Sequence, residues 1–202
     1  TFHDVLATKI SSSNHIIEII EISKTGKNVL HIISELYEGG ELYEFILENG
    51  PFDESNTKRF VYQICVAVSE CHKAKVAHLD VKPENILLRK VVKDSKSAEL
   101  VLIDFGHAKE ETSQNLKLNG PTGSVMYAAP EVLIDREFSL KKSDAWSIGV
   151  VTFVLLEGKH PWDCDGTSSV VFEDAVESAL EYTDWSKEAK DFVSRLLVVD
   201  KE

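Results

Sequence analysis

His78-Leu79-Asp80-Val81-Lys82-Pro83-Glu84-Asn85, running on into the apolar Ile86-Leu87-Leu88, is the stretch from which the rest of the chain can be read. It sets an Asp, a Lys two residues on and an Asn five on along a single loop. A proton acceptor, a cation and a metal ligand therefore stand together. That combination suits the movement of a phosphoryl group, where catalysis is mostly positioning plus neutralisation of developing charge.

Working outward, Ile86–Leu88 and Leu100–Ile103 read as short strands on either side of a polar, Lys- and Ser-containing loop. Upstream, Asp53-Glu54-Ser55 caps a long helix to about Ala74, with Phe60, Ile64, Ala67, Val68 and Cys71 as its apolar stripe. Glu41 to Asn49 is a shorter amphipathic helix carrying Leu42, Phe45 and Ile46 and ended by Gly50-Pro51. Before it, Ile16 to Ile22 and Val29 to Leu36 read as strands joined by a turn at 24–28, the second nearly all apolar and so expected to be buried. Residues 1–13 read as the tail of a helix. Downstream, 104–130 shows little periodicity and reads as a long functional loop. Ser143 to Glu157 is an apolar helix stopped by Gly158, and Ser168–Leu180 and Ser186–Val198 read as further helices.

Composition sets the outer bounds. With 202 residues, 43% of them hydrophobic, the chain is long enough for a real core. A net charge of −12 argues against nucleic acid or an anionic membrane as main partner; it suits a basic substrate, and simple solubility accounts for it more readily. Cys65, Cys71 and Cys164 lack metal-ligand spacing, and the first two fall in a helical apolar pattern, as reduced core thiols do. No stretch approaches the roughly 18 apolar residues of a membrane span, and the amino end does not read as a signal peptide. The expectation is a cytoplasmic protein.

The 78–85 loop resembles the catalytic loop of eukaryotic protein kinases, in the serine/threonine form that places Lys two residues after the Asp. Three further motifs of that family follow in its order: Asp104-Phe105-Gly106, Ala129-Pro130-Glu131 and Asp144-Ala145-Trp146-Ser147-Ile148-Gly149. The resemblance covers nearly the whole chain. It implies an α+β, protein-kinase-like fold, with residues 1–36 as the remnant of a β-rich N-terminal lobe and 37–202 as a mainly helical C-terminal lobe lacking its last helices. It implies ATP and Mg²⁺ as cofactors and protein Ser or Thr hydroxyls as substrates. Asp80 would be the catalytic base and Lys82 would steady the transferred group. Asn85 and Asp104 would hold the metal as hard oxygen ligands.

Other assignments also follow from the resemblance. Glu35-Leu36-Tyr37 is similar to the hinge whose backbone groups bind adenine, and its sequence is also similar to the calcium/calmodulin-dependent branch. Glu41 lies where members contact the ribose or a basic substrate residue, and Glu84 where some hold an Arg upstream of the phosphoacceptor. Residues 123–131 resemble the substrate-docking segment, with the Ser124 hydroxyl bonding Asp80 and Lys82. His78 and Phe105 are implied to pack together, Gly106 to allow a sharp turn, and Asp144 to clamp the catalytic-loop backbone as a buried, hydrogen-bonded acid.

Two departures carry expectations of their own. Leu79 replaces the Arg that usually precedes the catalytic Asp, and Gly120 stands where a phosphosite usually lies. The two losses fit each other and imply activity independent of phosphorylation there, with Thr112 and Ser113 as remaining hydroxyls. The chain also carries neither the family's glycine-rich loop nor its ATP-gripping Lys, and Asp4 or His3 stands near the position of the acid paired with that Lys. The Arg that normally pairs with the acid matching Glu131 would fall beyond residue 202. A fragment of a longer kinase is one explanation; a catalytically inactive pseudokinase, or a truncated kinase-like binding scaffold, is the other.

Overall fold

The computed structural model describes residues 13–26, 29–111, 123–133, 139–162 and 172–199. The helix expected over 1–13, the loop hydroxyls Thr112 and Ser113, Gly120 and Cys164 lie wholly or almost wholly outside them. The first elements are two antiparallel strands, β1 (Ile19–Thr25) and β2 (Val29–Ser34), with Ile22 opposite Ile32 and Thr25 opposite Val29. β1 starts three residues later than the sequence suggests. Ile16 instead bridges to Leu102, and the Ile17 amide donates to the Leu102 carbonyl at 2.9 Å, so this stretch is drawn into a different sheet. β2 is not buried as expected: Ile32 and Ile33 are 42% and 48% exposed. An apolar strand is covered only when another layer lies on it, and among the described residues this sheet has only the strands β1 and β2.

Beyond the hairpin the chain turns helical. α1 (Leu42–Asn49) buries Leu42 and Ile46, and α2 (Glu54–Lys73) is capped by Asp53, whose Oδ1 accepts from the Asn56 amide at 2.7 Å. The whole expected stripe of α2 is buried, and Phe60 meets Phe52 and Phe45 edge-on at 5.2 and 6.4 Å between ring centres. β3 (Val76–Ala77) then leads into the 78–85 loop, which closes in a 3₁₀ turn at Pro83–Asn85. β4 (Ile86–Leu88) and β5 (Leu100–Leu102) pair antiparallel where the sequence places them.

The 104–130 region is more ordered at its start than its sequence suggests. Phe105–His107 forms a 3₁₀ turn and β6 (Lys109–Glu110) pairs with β3. Two-residue strands are too short to show a period, which is why the pattern misses them. A short helix, α3 (Pro130–Leu133), precedes α4 (Leu140–Glu157), which begins three residues before the expected start. α4 is buried on nearly every side and ends at Gly158, whose left-handed φ of 69° completes the stop. α5 (Phe172–Glu181) and α6 (Lys187–Leu196) follow, the latter capped by the Ser186 hydroxyl. α4 thus forms the spine against which α2 and α6 pack.

Candidate active site

The site hangs from one buried carboxylate on α4. Asp144 is 0% exposed; its Oδ1 accepts from the Leu79 amide at 2.7 Å and its Oδ2 from the His78 amide at 3.0 Å. His72, in the last turn of α2, places Nε2 2.7 Å from the same Oδ2. A carboxylate only accepts, so that nitrogen carries the proton. Three donors offset the cost of burying the charge, and the clamp implied for Asp144 is present with a histidine the sequence reading did not include.

His78 does more than pack. Its ring meets Phe105 edge-on at 4.7 Å, as expected, but Nε2 also lies 2.9 Å from the Ile103 carbonyl and Nδ1 accepts from the Asp80 amide at 3.2 Å. This pattern requires the neutral Nε2–H tautomer, and burial pulls the His78 pKa down in the same sense. The next residue, Leu79, is buried with φ 64°, a left-handed conformation that β-carbon sterics disfavour. It is held there by the bond from its amide to Asp144.

Asp80 is 5% exposed, and both of its carboxylate oxygens have partners. Its Oδ1 accepts from the Ser124 amide at 2.8 Å; Oδ2 accepts from Asn85 Nδ2 at 2.9 Å and lies 3.2 Å from Lys82 Nζ. Burial pushes its pKa up, but the hydrogen bonding from Ser124 and the Lys82 charge together outweigh this and hold it below the ordinary aspartate value. Lys82 Nζ also donates to Ser124 Oγ at 2.7 Å. Ser124 therefore touches both residues as expected, though the bond to Asp80 comes from its backbone. Gly123 makes that approach possible. It has φ 77°, and a β-carbon there would run into the Leu79 carbonyl oxygen.

Asn85 spends both donors of Nδ2 on Asp80, one on the backbone oxygen and one on Oδ2, each at 2.9 Å, so the atom it can offer a cation is Oδ1. Asp104 follows Ile103, whose amide donates to the Asn85 carbonyl at 2.9 Å and whose carbonyl faces His78. The sharp backbone turn falls on Asp104 itself (φ 54°), not on Gly106 as expected. The Gly106 amide instead donates to Asp104 Oδ1 at 3.0 Å, which compensates the left-handed conformation.

The remaining candidates lie around this loop. Glu35 pairs with Arg89 at 2.9 Å, and the buried Tyr37 accepts from the Glu18 amide at 3.1 Å through its hydroxyl. Glu41 is fixed by a bridge to Leu87 and does not use its side chain to cap α1. Glu84 buries Oε2 without a hydrogen-bond partner, as does the hydroxyl of Tyr127, whose pKa burial and the Glu84 charge both raise. His160 packs on the Tyr127 ring at 4.8 Å. A concavity of about 1070 Å³ between α2 and α6 is lined by none of these candidate residues and plays no part in the site.

Residues 3–202 match the protein kinase domain family. The chain belongs to the protein kinase family. It is 40% identical over 201 residues to CDPK-related kinase 3 of Arabidopsis thaliana, covering 96% of this chain and 32% of that protein. It is 38% identical over 197 residues to myosin light chain kinase A of Dictyostelium discoideum, covering 95% of this chain and 64% of that one. It is 36% identical over 190 residues to calcium/calmodulin-dependent protein kinase cmkA of Emericella nidulans, covering 92% and 45%. The chain thus spans about a third to two thirds of the length of these curated relatives. The kinase domain is of the serine/threonine type, with calcium/calmodulin-dependent kinases among its relatives, and its α+β fold is that of the family.

Within this kinase domain the structure brings Asp80, Lys82, Asn85 and Ser124 into one hydrogen-bonded group. Among the described residues no group of three or more His, Cys, Asp or Glu side chains could hold a metal. Mg²⁺ does not need one, because it binds through one or two protein oxygens with waters and substrate phosphates completing its shell. The Asn85 amide oxygen and the Asp104 carboxylate fit that chemistry. Sequence reasoning missed His72, His160 and Arg89. His72 alone left a trace, as an imidazole in the last turn of the helix before the loop.

Proposed function

We propose that this kinase domain transfers the γ-phosphoryl group of Mg-ATP to Ser or Thr hydroxyls of protein substrates, with preference for basic residues near the phosphoacceptor. One observation carries the reading: Asp80, Lys82, Asn85 and Ser124 form a closed polar group with Asp80 kept ionised. Asp80 Oδ2 already receives two donors and Oδ1 one. The substrate hydroxyl proton would therefore go to Oδ1. Lys82 would stay beside the transferred group, positioned by Ser124, so that charge developing there meets a fixed cation. Bound Mg²⁺, held by Asn85 and Asp104, supplies neutralisation of the phosphate charge.

The adenine would meet the backbone of Glu35–Tyr37, and the ribose or a basic side chain would meet Glu41. Glu84, in the 3₁₀ turn that closes the loop carrying Asp80 and Lys82, would take a substrate Arg upstream of the phosphoacceptor. Leu79 buries an apolar side chain in the core and presents no cation there, which supports activity independent of phosphate on the activation loop. A division into lobes near residue 36 and a cytoplasmic site of action complete the proposal; the free thiols of Cys65 and Cys71 agree with the latter.

The test is γ-phosphate transfer to a library of basic Ser/Thr peptides, by native-length protein from cells beside the 202-residue chain, each with an Asp80→Asn control. Transfer lost in the control supports the reading. No transfer by either chain, with a native product of this length, would favour the binding scaffold instead.

A further inference from the structure

One side chain outside the assigned site ties together the backbone segments that border it. Arg89 sits directly after β4, and its amide donates to the Glu99 carbonyl at 2.8 Å, so its root is fixed in the β4–β5 ladder. From there the guanidinium reaches two segments that are far away in sequence. Nη1 donates to Glu35 Oε2 at 2.9 Å, and the group lies over the Tyr37 ring, 5.3 Å from its centre. Nη2 donates to the Asn14 carbonyl at 2.8 Å, just before the His15–Ile17 stretch that joins β5. Glu99 adds a weaker charge contact at 3.8 Å.

This is more than a surface ion pair. A single exposed pair contributes little, because holding two long side chains costs entropy and water screens the charge. Here the planar fork makes two separate hydrogen bonds and a ring contact at once, while the side chain is only 22% exposed. Lysine has one compact charge and cannot reproduce that set. β4 follows directly on Asn85, and the Ile103 amide joins Asn85 just beyond β5. The guanidinium therefore fixes Glu35–Tyr37 and Asn14 relative to the strand pair that carries the metal-binding candidates.

We propose that Arg89 is a positioning residue for the nucleotide, holding the Glu35–Tyr37 backbone at the right distance from Asn85 and Asp104. The inference rests on the nucleotide-binding role proposed above for Glu35–Tyr37. It touches neither the phosphoacceptor nor the transferred group. Its loss should act on nucleotide affinity and leave the peptide side of the reaction alone.

The experiment measures binding of Mg-ADP by calorimetry, and the KM for ATP, the KM for a basic peptide and kcat, in native-length protein. Arg89→Ala is expected to weaken Mg-ADP and raise the KM for ATP by about tenfold, with kcat and the peptide KM unchanged. Arg89→Lys should recover only part of this, and Glu35→Gln should lose less in the Arg89→Ala background than alone. Arg195→Ala, which removes an exposed Arg paired with Asp191 on α6, should change none of these values. Equal Mg-ADP affinity in the Arg89 variants and the unaltered protein, or a fall confined to kcat, would overturn the inference while leaving the kinase reading intact. Tight Mg-ADP binding that depends on Arg89, without transfer, would keep the inference and sink the kinase reading. Absence of Mg-ADP binding by the unaltered protein would overturn it outright.

Discussion

At the scale of single residues, the site depends on charge states set by neighbours. Asp80 is held below the ordinary aspartate value, so it stays ionised as pH falls through the range where an isolated histidine, at about 6.5, would titrate. Its contribution to stability is present above the unfolded aspartate value of about 3.9 and is lost only as pH falls through the lower folded value. Transfer is therefore expected to show no acid limb from the base above about pH 5. A limb near pH 6.5 that survives a change of substrate would move the base to a histidine. Asp80→Asn should lower kcat by on the order of a hundredfold or more while keeping the fold, measured by transfer assay beside circular dichroism. Gly123 gives an independent test. Gly123→Ala forces a β-carbon toward the Leu79 carbonyl and pushes Ser124 off Asp80. A loss of about tenfold or more in kcat, together with a lowered melting temperature because the clash is with backbone at a positive φ, is the expected outcome.

At the scale of elements, α4 holds the catalytic loop through Asp144. Asp144→Ala would leave the Leu79 and His78 amides and the His72 imidazole without their acceptor, at a cost of about 3 kcal/mol or more, read from denaturant unfolding. Hydrogen exchange at the Leu79 amide should rise with it. The elements also show what a sequence can and cannot disclose. α2 and the β4–β5 pair were legible because local pattern decides them: a capped 3.6-residue stripe and two short apolar runs bounded by polar residues. β1 was misplaced because Ile16 and Ile17 answer to Leu102, 86 and 85 residues away in sequence. β2 was taken as buried because an apolar run carries no record of what lies over it. In the site, Asp80, Lys82 and Asn85 were readable from one loop, whereas Arg89 gains its meaning from partners 54 and 75 residues distant.

At the scale of the whole molecule, two properties are shared across many residues. Burial lowers the pKa of both His78 and His160, so the native state resists protons that the unfolded chain accepts. Stability is then fully present above the unfolded value of about 6.5 and falls as pH drops below it, until the folded values are reached. The melting temperature should decline from pH 7.5 toward pH 5.5, and His160→Phe, which keeps a ring against Tyr127, should flatten part of that slope. The second property is the net charge of −12, which by itself favours cationic over anionic partners. An attraction of that kind is screened by salt, whereas a specific contact at Glu84 is less so. The KM of an Arg-containing peptide should rise as salt goes from about 0.05 M to about 0.5 M, while that of a neutral peptide stays flat. Glu84→Gln should raise the KM of the Arg peptide by about tenfold even at high salt and leave the neutral peptide unchanged. If Glu84→Gln affects both peptides alike, Glu84 supports the loop rather than reading the substrate, and the preference for basic residues rests on overall charge alone.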